Sequence, residues 1–141
     1  MNKEEFIKKI EEEGDYLEWT YQTKYGPSYD CFIRRNKSSK SLCGYIKLTK
    51  LDYYYGKEYL DIGISVHGGL TFGELEDDIH IIGFDCAHYN DLTFYDYLKD
   101  FKTDGVYRSM NYVKKQCESM AEQACRKSPS KIRDFKIGKI V

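Results

Sequence analysis

The chain has 141 residues, of which 41% are hydrophobic and 32% charged, and its formal net charge is -1 at pH 7. This length suits one domain, residues 1–141, with a core of its own. The near-neutral charge gives no electrostatic basis for binding a nucleic acid polymer or an anionic membrane surface. No signal-peptide pattern and no membrane-spanning apolar run is visible, so we expect a cytoplasmic protein.

Five cysteines form an odd set without CxxC spacing. That pattern argues against a disulfide framework and against a zinc cluster. We expect most of them to be small, reduced core residues.

The first half of the chain predicts one helix and three strands. Asn2 is expected to cap a short helix that Gly14 ends, and the apolar–polar alternation over 17–22 predicts a first strand. Runs 29–35 and 42–48 predict two more strands, which the polar segment 36–41 joins as a hairpin. All three strands are expected to be antiparallel.

The second half predicts two further strands and a long helix. Apolar residues alternate over 60–66 and again over 79–83, while the acidic stretch 74–78 between them is expected to be a solvated turn. Apolar positions at steps of four and three from Val106 to Ala124 predict a long amphipathic helix that Pro129 ends. A last short strand is predicted over 135–141.

These elements together predict an α+β fold. We expect an antiparallel β-sheet or sandwich, with a short N-terminal helix and a long C-terminal amphipathic helix. The apolar stripe of the last helix can be buried in its own sheet or in a partner helix, and we expect a homo-oligomer.

Two polar stretches, 66–72 and 83–91, follow the predicted strands of the second half and contain most of the chemically versatile side chains. If those strands are neighbours, four side chains meet at one edge of the sheet: His67, Asp85, His88 and Asp91. At that edge Gly68 and Gly69 free the backbone to approach a ligand closely.

Histidine near neutral pH can transfer protons, ligate metals or donate to a phosphate, so a functional and a structural role are both open for His67 and His88. We expect a structural role for His80. The spacings match no metal-binding motif, and strand alternation places Cys86 inward rather than beside His88 as a nucleophile. No catalytic residue, metal or cofactor is therefore predicted.

Arg108 is the leading candidate for a phosphate contact, because it stands near the start of the long helix and its planar fork suits bidentate contact. Aromatic rings nearby could stack on a purine. The absence of a Walker loop and of a dinucleotide fingerprint excludes an ordinary ATP or NAD site. The predicted ligand-binding residues are His67, Gly68, Gly69, Thr71, Phe84, Asp85, His88, Asn90, Asp91, Arg108, Tyr112, Arg34 and Tyr45.

With these residues in view, the chain resembles a widespread family of small, mostly uncharacterised bacteriophage and prophage proteins. The shared features are Cys31-Phe32-Ile33-Arg34-Arg35, Gly44-Tyr45, His67-Gly68-Gly69-Leu70-Thr71-Phe72, Gly83-Phe84-Asp85-Cys86-Ala87-His88, and Tyr107-Arg108 through Cys117. The resemblance covers 31–123. It departs over 48–60, where relatives often carry Gly-His-Pro and this chain has Tyr53-Tyr54-Tyr55-Gly56.

In size, aromatic content and helix the chain is also similar to phage proteins that sequester nucleotide signals of bacterial immunity, among them the Thoeris anti-defence proteins. By this analogy from genome context, the resemblance implies a protein that traps a cyclic ADP-ribose-like or cyclic oligonucleotide signal without cleaving it. Two alternatives stay open. One is a small phosphodiesterase or hydrolase that uses His67 and His88, and the other is an inhibitor that binds a host protein through tyrosine-rich loops.

Overall fold

The computed structural model describes residues 1–98 and 105–141 and confirms the α+β fold. Five antiparallel strands form one sheet in the spatial order β1-β2-β3-β5-β4. The strands are β1 (Tyr16–Gln22), β2 (Ser28–Arg35), β3 (Leu42–Leu48), β4 (Phe72–Glu76) and β5 (Ile79–Asp85). The helices are α1 (Lys3–Glu13), α2 (Tyr95–Leu98), α3 (Met110–Arg126) and α4 (Pro129–Lys136), and a 3-10 turn covers Tyr59–Asp61.

The N-terminal half has the predicted elements. The Asn2 side chain accepts a hydrogen bond from the backbone N–H of Glu5 at 2.8 Å and so caps α1, whose C-terminal end is formed by Gly14 at φ 80°. The loop between β2 and β3 is organised by Asn36, whose side-chain oxygen accepts the N–H groups of Ser38 and Ser39 at 2.9 Å. Local capping and turn chemistry therefore determine both features.

A buried arginine ties the N-terminal elements together. The Arg35 side chain is 2% exposed and donates to the carbonyl of Gly14 at 2.9 Å and to that of Lys40 at 2.8 Å. It also pairs with Asp15 at 3.1 Å and contacts the Tyr107 hydroxyl at 3.4 Å. Its guanidinium thus joins the end of α1, the β2–β3 loop and the segment that leads into α3.

The core lies between one face of the sheet and α3. Val113, Cys117 and Met120 are fully buried on the helix, and Ile33 and Ile46 are fully buried on the sheet. Burying each such side chain contributes about 1.5–3 kcal/mol. No helix in the described part of the chain is long and apolar enough to span a membrane.

Close approach of the helix to the sheet depends on a glycine in β3. A Cβ atom at Gly44 would lie 2.6 Å from the Cys117 sulfur and 2.6 Å from the Phe84 ring, closer than atoms pack. The packing that results buries four of the five cysteines, and burial raises the pKa of the Cys86 thiol. Cys86 points inward, as predicted.

The prediction of a strand over 60–66 was wrong, although the apolar alternation there correctly indicated buried residues. Ile62 and Ile64 are buried among the core residues, but the segment pairs with none of the strands that the structure describes. Instead the Gln123 side chain donates to the carbonyl of Ser65 at 2.7 Å and accepts its N–H at 2.8 Å. The amide group of a helix residue thus stands where a neighbouring strand was expected.

Three further boundaries differ from the predictions. The stretch 74–78 is mostly strand, and only Asp77 and Asp78, at φ 50° and 67°, form the turn between β4 and β5. The long helix begins at Met110 rather than near Val106, because Ser109 caps it. Pro129 begins α4 instead of simply ending α3, because the first position of a helix needs no N–H donor from proline. The predicted strand over 135–141 is absent, since α4 extends to Lys136 and no strand follows it.

The sheet face opposite α3 carries a row of aromatic rings. Phe32 and Tyr45 face each other across β2 and β3 with centroids 4.6 Å apart, and Phe72 packs edge-on against Tyr45. Gly83 lies between Tyr45 and Phe72 in the register and leaves room for the Tyr45 ring. Arg34 lies over the same ring at 5.6 Å. The ring surfaces on this face therefore pack mainly against one another.

Candidate functional site

Asp91 is the centre of the candidate site. Its side chain is 1% exposed and accepts hydrogen bonds from three groups: Nε2 of His67 at 2.8 Å, Nε of Arg108 at 2.8 Å and the backbone N–H of His88 at 3.0 Å. A buried carboxylate is expensive unless it is paired and fully hydrogen-bonded, and here it is both.

The pKa values agree with a charged Asp91–Arg108 pair. Burial by itself would raise the pKa of Asp91, but the hydrogen bonds from His67, Arg108 and the His88 backbone outweigh it, and the pKa is lowered. The hydrogen bond to Asp91 also raises the pKa of Arg108. Asp91 is therefore a carboxylate at neutral pH.

His67 is held at both ring nitrogens. Nε2 is bonded to Asp91, and Nδ1 lies 2.8 Å from the hydroxyl of Tyr112 on α3. Because the carboxylate can only accept, Nε2 carries a proton, and in the neutral imidazole Nδ1 accepts from the Tyr112 hydroxyl. The backbone N–H of His67 donates to Gln116 at 2.9 Å. The imidazole is thus oriented by three separate contacts and is 12% exposed.

The two glycines after His67 turn the chain at the surface. Gly68 and Gly69 have backbone φ angles of 68° and 84°, which residues other than glycine rarely adopt. A Cβ atom at Gly68 would lie 2.2 Å from Nε2 of His88, so the His88 ring packs directly over this glycine. No atom of the described residues lies within 4 Å of a Cβ atom at Gly69.

His88 and Asp85 form the outer part of the site. Nε2 of His88 lies 3.3 Å from a carboxylate oxygen of Asp85. Within residues 1–98 and 105–141 this buried nitrogen atom makes no hydrogen bond of acceptable geometry. The two side chains are therefore in contact without a hydrogen bond between them. Asp85 accepts hydrogen bonds from the Thr71 hydroxyl at 3.1 Å and from the backbone N–H of Ala87 at 3.0 Å.

The structure brings most of the predicted site residues together. His67, Asp91, Arg108 and Tyr112 share one hydrogen-bonded cluster, which we name the Asp91 cluster. Gly68, Gly69, His88, Asp85 and Thr71 border it. Asn90 is exposed in the loop between His88 and Asp91, where its carbonyl accepts from Val106.

Three predicted residues lie elsewhere. Phe84 is 1% exposed, with its ring in the core, so it has no free surface for stacking on a base. Arg34 and Tyr45 lie on the sheet face opposite α3, and no contact in the described residues links them to the Asp91 cluster. Tyr89, which is 99% exposed, and Tyr112 remain as rings beside the site.

Sequence reasoning missed the two glutamines of α3 that position the segment before His67. Gln116 and Gln123 both bond its backbone. Tyr112, Gln116 and Gln123 follow one another at helical spacing and therefore share a face. This row of polar residues beside the apolar stripe of α3 was the feature of the sequence that could have predicted these contacts.

No group of three or more His, Cys, Asp or Glu side chains within residues 1–98 and 105–141 is placed to hold a metal ion. Comparison with known proteins gave no match to a family model, to a curated protein or to a solved structure. The candidate site is consequently interpreted from its own geometry.

Proposed function

We propose that the protein is a phage-encoded anti-defence protein that binds a nucleotide-derived immune signal at the Asp91 cluster without cleaving it. The observation that supports binding is that both ring nitrogens of His67 and both oxygens of Asp91 are engaged in hydrogen bonds within the protein. In this state the His–Asp pair orients its neighbours, and neither ring nitrogen of His67 is free to take a proton from a bound ligand.

Arg108 is oriented by its hydrogen bond to Asp91. Its Nε is fixed on Asp91, and among the described residues no hydrogen bond reaches its two terminal amino groups, Nη1 and Nη2. The guanidinium also lies over the Tyr112 ring at 5.2 Å. A planar fork held in this way is suited to bidentate contact with a phosphate, at little further cost in side-chain entropy.

The surroundings supply the other contacts that a nucleotide uses. Gly68 and Gly69 expose backbone beside the cluster, and the exposed Tyr89 ring offers a surface on which a base can stack. The ligand class itself, a cyclic ADP-ribose-like or cyclic oligonucleotide signal, comes from the resemblance to phage proteins. The same proposal includes action in the host cytoplasm and a homo-oligomeric state, with neither a nucleic acid polymer nor a membrane as a partner.

A small phosphodiesterase or hydrolase is the second candidate, and one observation favours it. Asp91, His67 and the Tyr112 hydroxyl follow one another in the order of an orienting carboxylate, a base and a hydroxyl nucleophile. In such a reaction Nδ1 of His67 would accept the proton of the Tyr112 hydroxyl while the phenolate oxygen bonded to phosphorus and one phosphodiester P–O bond broke. The leaving alkoxide would take a proton from His88 or water, and water would then hydrolyse the phosphotyrosine. His88, the other histidine of this hypothesis, borders the cluster.

The decisive experiment is to purify the protein from cells that make nucleotide defence signals and to identify the released small molecules by mass spectrometry. Titration with cyclic ADP-ribose and with a cyclic dinucleotide follows, with recovery of the ligand after denaturation. Intact recovered ligand supports binding. A cleaved product, or no binding of any signal, would contradict the proposal.

Two variants test the site, and the second separates the candidates. Arg108→Gln should weaken binding by at least about tenfold, because a charged bidentate contact is lost, while the exposed Arg133→Gln serves as a control. Tyr112→Phe keeps the ring and removes the hydroxyl. Retained affinity in Tyr112→Phe is expected for a binding protein, whereas loss of turnover with retained affinity identifies the enzyme.

A further inference from the structure

The strand β1 lies at one edge of the sheet and pairs on one side only, with β2. The antiparallel register with β2 is unbroken over Tyr16–Gln22. Just beyond the two ends of this range, Arg35 donates its N–H to the carbonyl of Asp15 at 2.9 Å, and Thr23 donates its N–H to that of Pro27 at 3.0 Å. Because bonded and non-bonded pairs alternate along an antiparallel ladder, the odd-numbered residues of β1 bond β2 and the even-numbered ones face away from it.

The outward backbone groups of β1 form an open row of donors and acceptors. They belong to four exposed residues: Tyr16, Glu18, Thr20 and Gln22. No hydrogen bond from another segment of residues 1–98 and 105–141 reaches their N–H or C=O groups. Such a row is a template for a further strand, and natural proteins usually protect it by a short strand, by charges, by a bulge or by a covering segment.

The two edges of the sheet differ in this protection. At the other edge, β4 has five residues, of which Glu74 and Glu76 are charged, and a Cβ atom at Gly73 would lie 3.3 Å from that of Tyr59. The strand β1 has seven residues, contains neither lysine nor proline, and carries one charge, on Glu18. The edge formed by β1 is therefore the one that is open to another strand.

We propose that β1 pairs with β1 of a second copy of this chain in an antiparallel register centred on Trp19, so that the two sheets become one across a two-fold axis. In this register Tyr16 faces Gln22 of the second copy and Glu18 faces Thr20. All outward residues then form hydrogen-bonded pairs, each of which exchanges two bonds. Glu18 stands opposite a neutral hydroxyl, so no like charges face each other directly.

The same register brings apolar side chains together on the face toward α3. Trp19 meets Trp19 of the second copy at a non-hydrogen-bonded pair, where side chains are closest, and Leu17 meets Tyr21. All three side chains are half-buried in the single chain. Trp19 donates to Glu118 at 3.3 Å and the Tyr21 hydroxyl donates to Glu122 at 2.8 Å. Because α3 already holds both rings, pairing costs little side-chain entropy.

The apolar stripe of α3 does not provide this contact between copies. Val113, Cys117 and Met120 are fully buried against the sheet of the same chain. A homo-oligomer therefore uses another surface, and the open edge supplies one. The pairing gives a location to the homo-oligomeric state proposed above and does not depend on the ligand of the Asp91 cluster.

Thr20→Pro tests the pairing, because the N–H of Thr20 points away from β2. Proline there removes a donor of the open edge and leaves the bonds between β1 and β2 in place. Thr20→Val is the matched control, since it keeps the N–H, and both variants lose the hydrogen bond from the Thr20 hydroxyl to Asp30.

Sedimentation velocity at about 100 µM should give the wild type and Thr20→Val twice the 16.6 kDa mass of one chain. We expect the dissociation constant of the dimer to rise by at least about tenfold in Thr20→Pro.

Hydrogen exchange of single amides locates the interface. In the wild-type dimer the four outward amides of β1 should be protected, although no group of the described chain bonds them. In Thr20→Pro the remaining outward amides should exchange fast, while those of Leu17, Trp19 and Tyr21 stay protected by β2. Loss of protection at these three amides would show that the variant strand is unfolded, and Glu18→Pro with Glu18→Val as its control then replaces the first pair of variants.

A monomeric wild type at about 100 µM would overturn the proposal. Fast exchange of the outward amides in a dimer, or an unchanged dimer in a folded proline variant, would do the same. A monomer would also contradict the homo-oligomeric state, whereas ligand binding at the Asp91 cluster is decided separately by the mass spectrometry of released molecules.

Discussion

At the scale of single residues, Asp91 and Gly68 show how the candidate site is fixed. Asp91 gathers His67, Arg108 and the His88 backbone around one carboxylate, so its neighbours are oriented before any ligand arrives. Gly68 lets the His88 ring pack where a side chain would otherwise stand. Asp91 thus orients the site through hydrogen bonds, and Gly68 leaves space for the His88 ring.

The two adjacent glycines allow these effects to be separated. Gly68→Ala and Gly69→Ala both place alanine at positive φ, which costs about 1–2 kcal/mol. Only Gly68→Ala also displaces His88. We expect Gly68→Ala to be the less stable of the two variants in thermal unfolding, and His88 signals in NMR spectra to move in that variant alone. Equal losses would show that His88 does not pack as described.

The titration of His80 has a defined effect on stability. Its pKa is lowered in the folded protein, so the unfolded chain takes up a proton first as the pH falls. Stability is therefore fully present above the ordinary histidine pKa of about 6.5 and is lost as the pH falls from there through the folded-state pKa.

His80→Gln removes this titration. In the wild type the backbone N–H of Gly56 bonds Nδ1 of His80 at 3.0 Å, and the glutamine side-chain oxygen can accept the same N–H. Chemical denaturation of both proteins at about pH 7.5 and about pH 5.5 should give a smaller loss of stability in the variant. An equal or larger loss in His80→Gln would show that other groups cause the acid sensitivity.

At the scale of elements, the segment before His67 is held by a helix instead of a strand. The side chain of Gln123 exchanges two hydrogen bonds with the backbone of Ser65, as a neighbouring strand would do. Gln123→Ala should lower stability by about 1 kcal/mol and speed hydrogen exchange of the Ser65 amide, since that N–H loses its partner. Lys115→Ala, at an exposed position of the same helix, is the control. An unchanged exchange rate of the Ser65 amide in Gln123→Ala would contradict the two hydrogen bonds between Gln123 and Ser65.

The same segment marks the limit of prediction from sequence. The hairpin β2–β3 and the cap of α1 were predictable, because their signals lie within a few residues. Alternation over 60–66 correctly indicated that Ile62 and Ile64 are buried, but alternation does not reveal what bonds the backbone. The proximity of His67 to Asp91 was expected, whereas the bond from His67 to Tyr112 depends on helix placement that no local pattern encodes.

At the scale of the whole molecule, Arg35 connects parts of the chain that are distant in sequence. Arg35→Met should lower the free energy of unfolding by about 2–4 kcal/mol, because the carbonyls of Gly14 and Lys40 lose a charged donor in a buried place. Arg34→Met, the neighbour on the exposed face, should change it by about 0.5 kcal/mol or less. Urea denaturation measures both, and similar values would contradict a structural role for Arg35.

Attachment of the 62–67 segment to α3 also determines which parts of the chain can change in length. The position of His67 is set by Gln116 and Gln123, so the number of residues between β3 and Ile62 does not enter into it. Insertions or deletions at the exposed residues 57–58 of this connection can therefore accumulate while the Asp91 cluster keeps its geometry, whereas Tyr54 is held in the core. Variation of this connection among related chains would then change the surroundings of His80, whose Nδ1 lies 3.0 Å from the backbone nitrogen of Gly56, and leave the cluster unchanged.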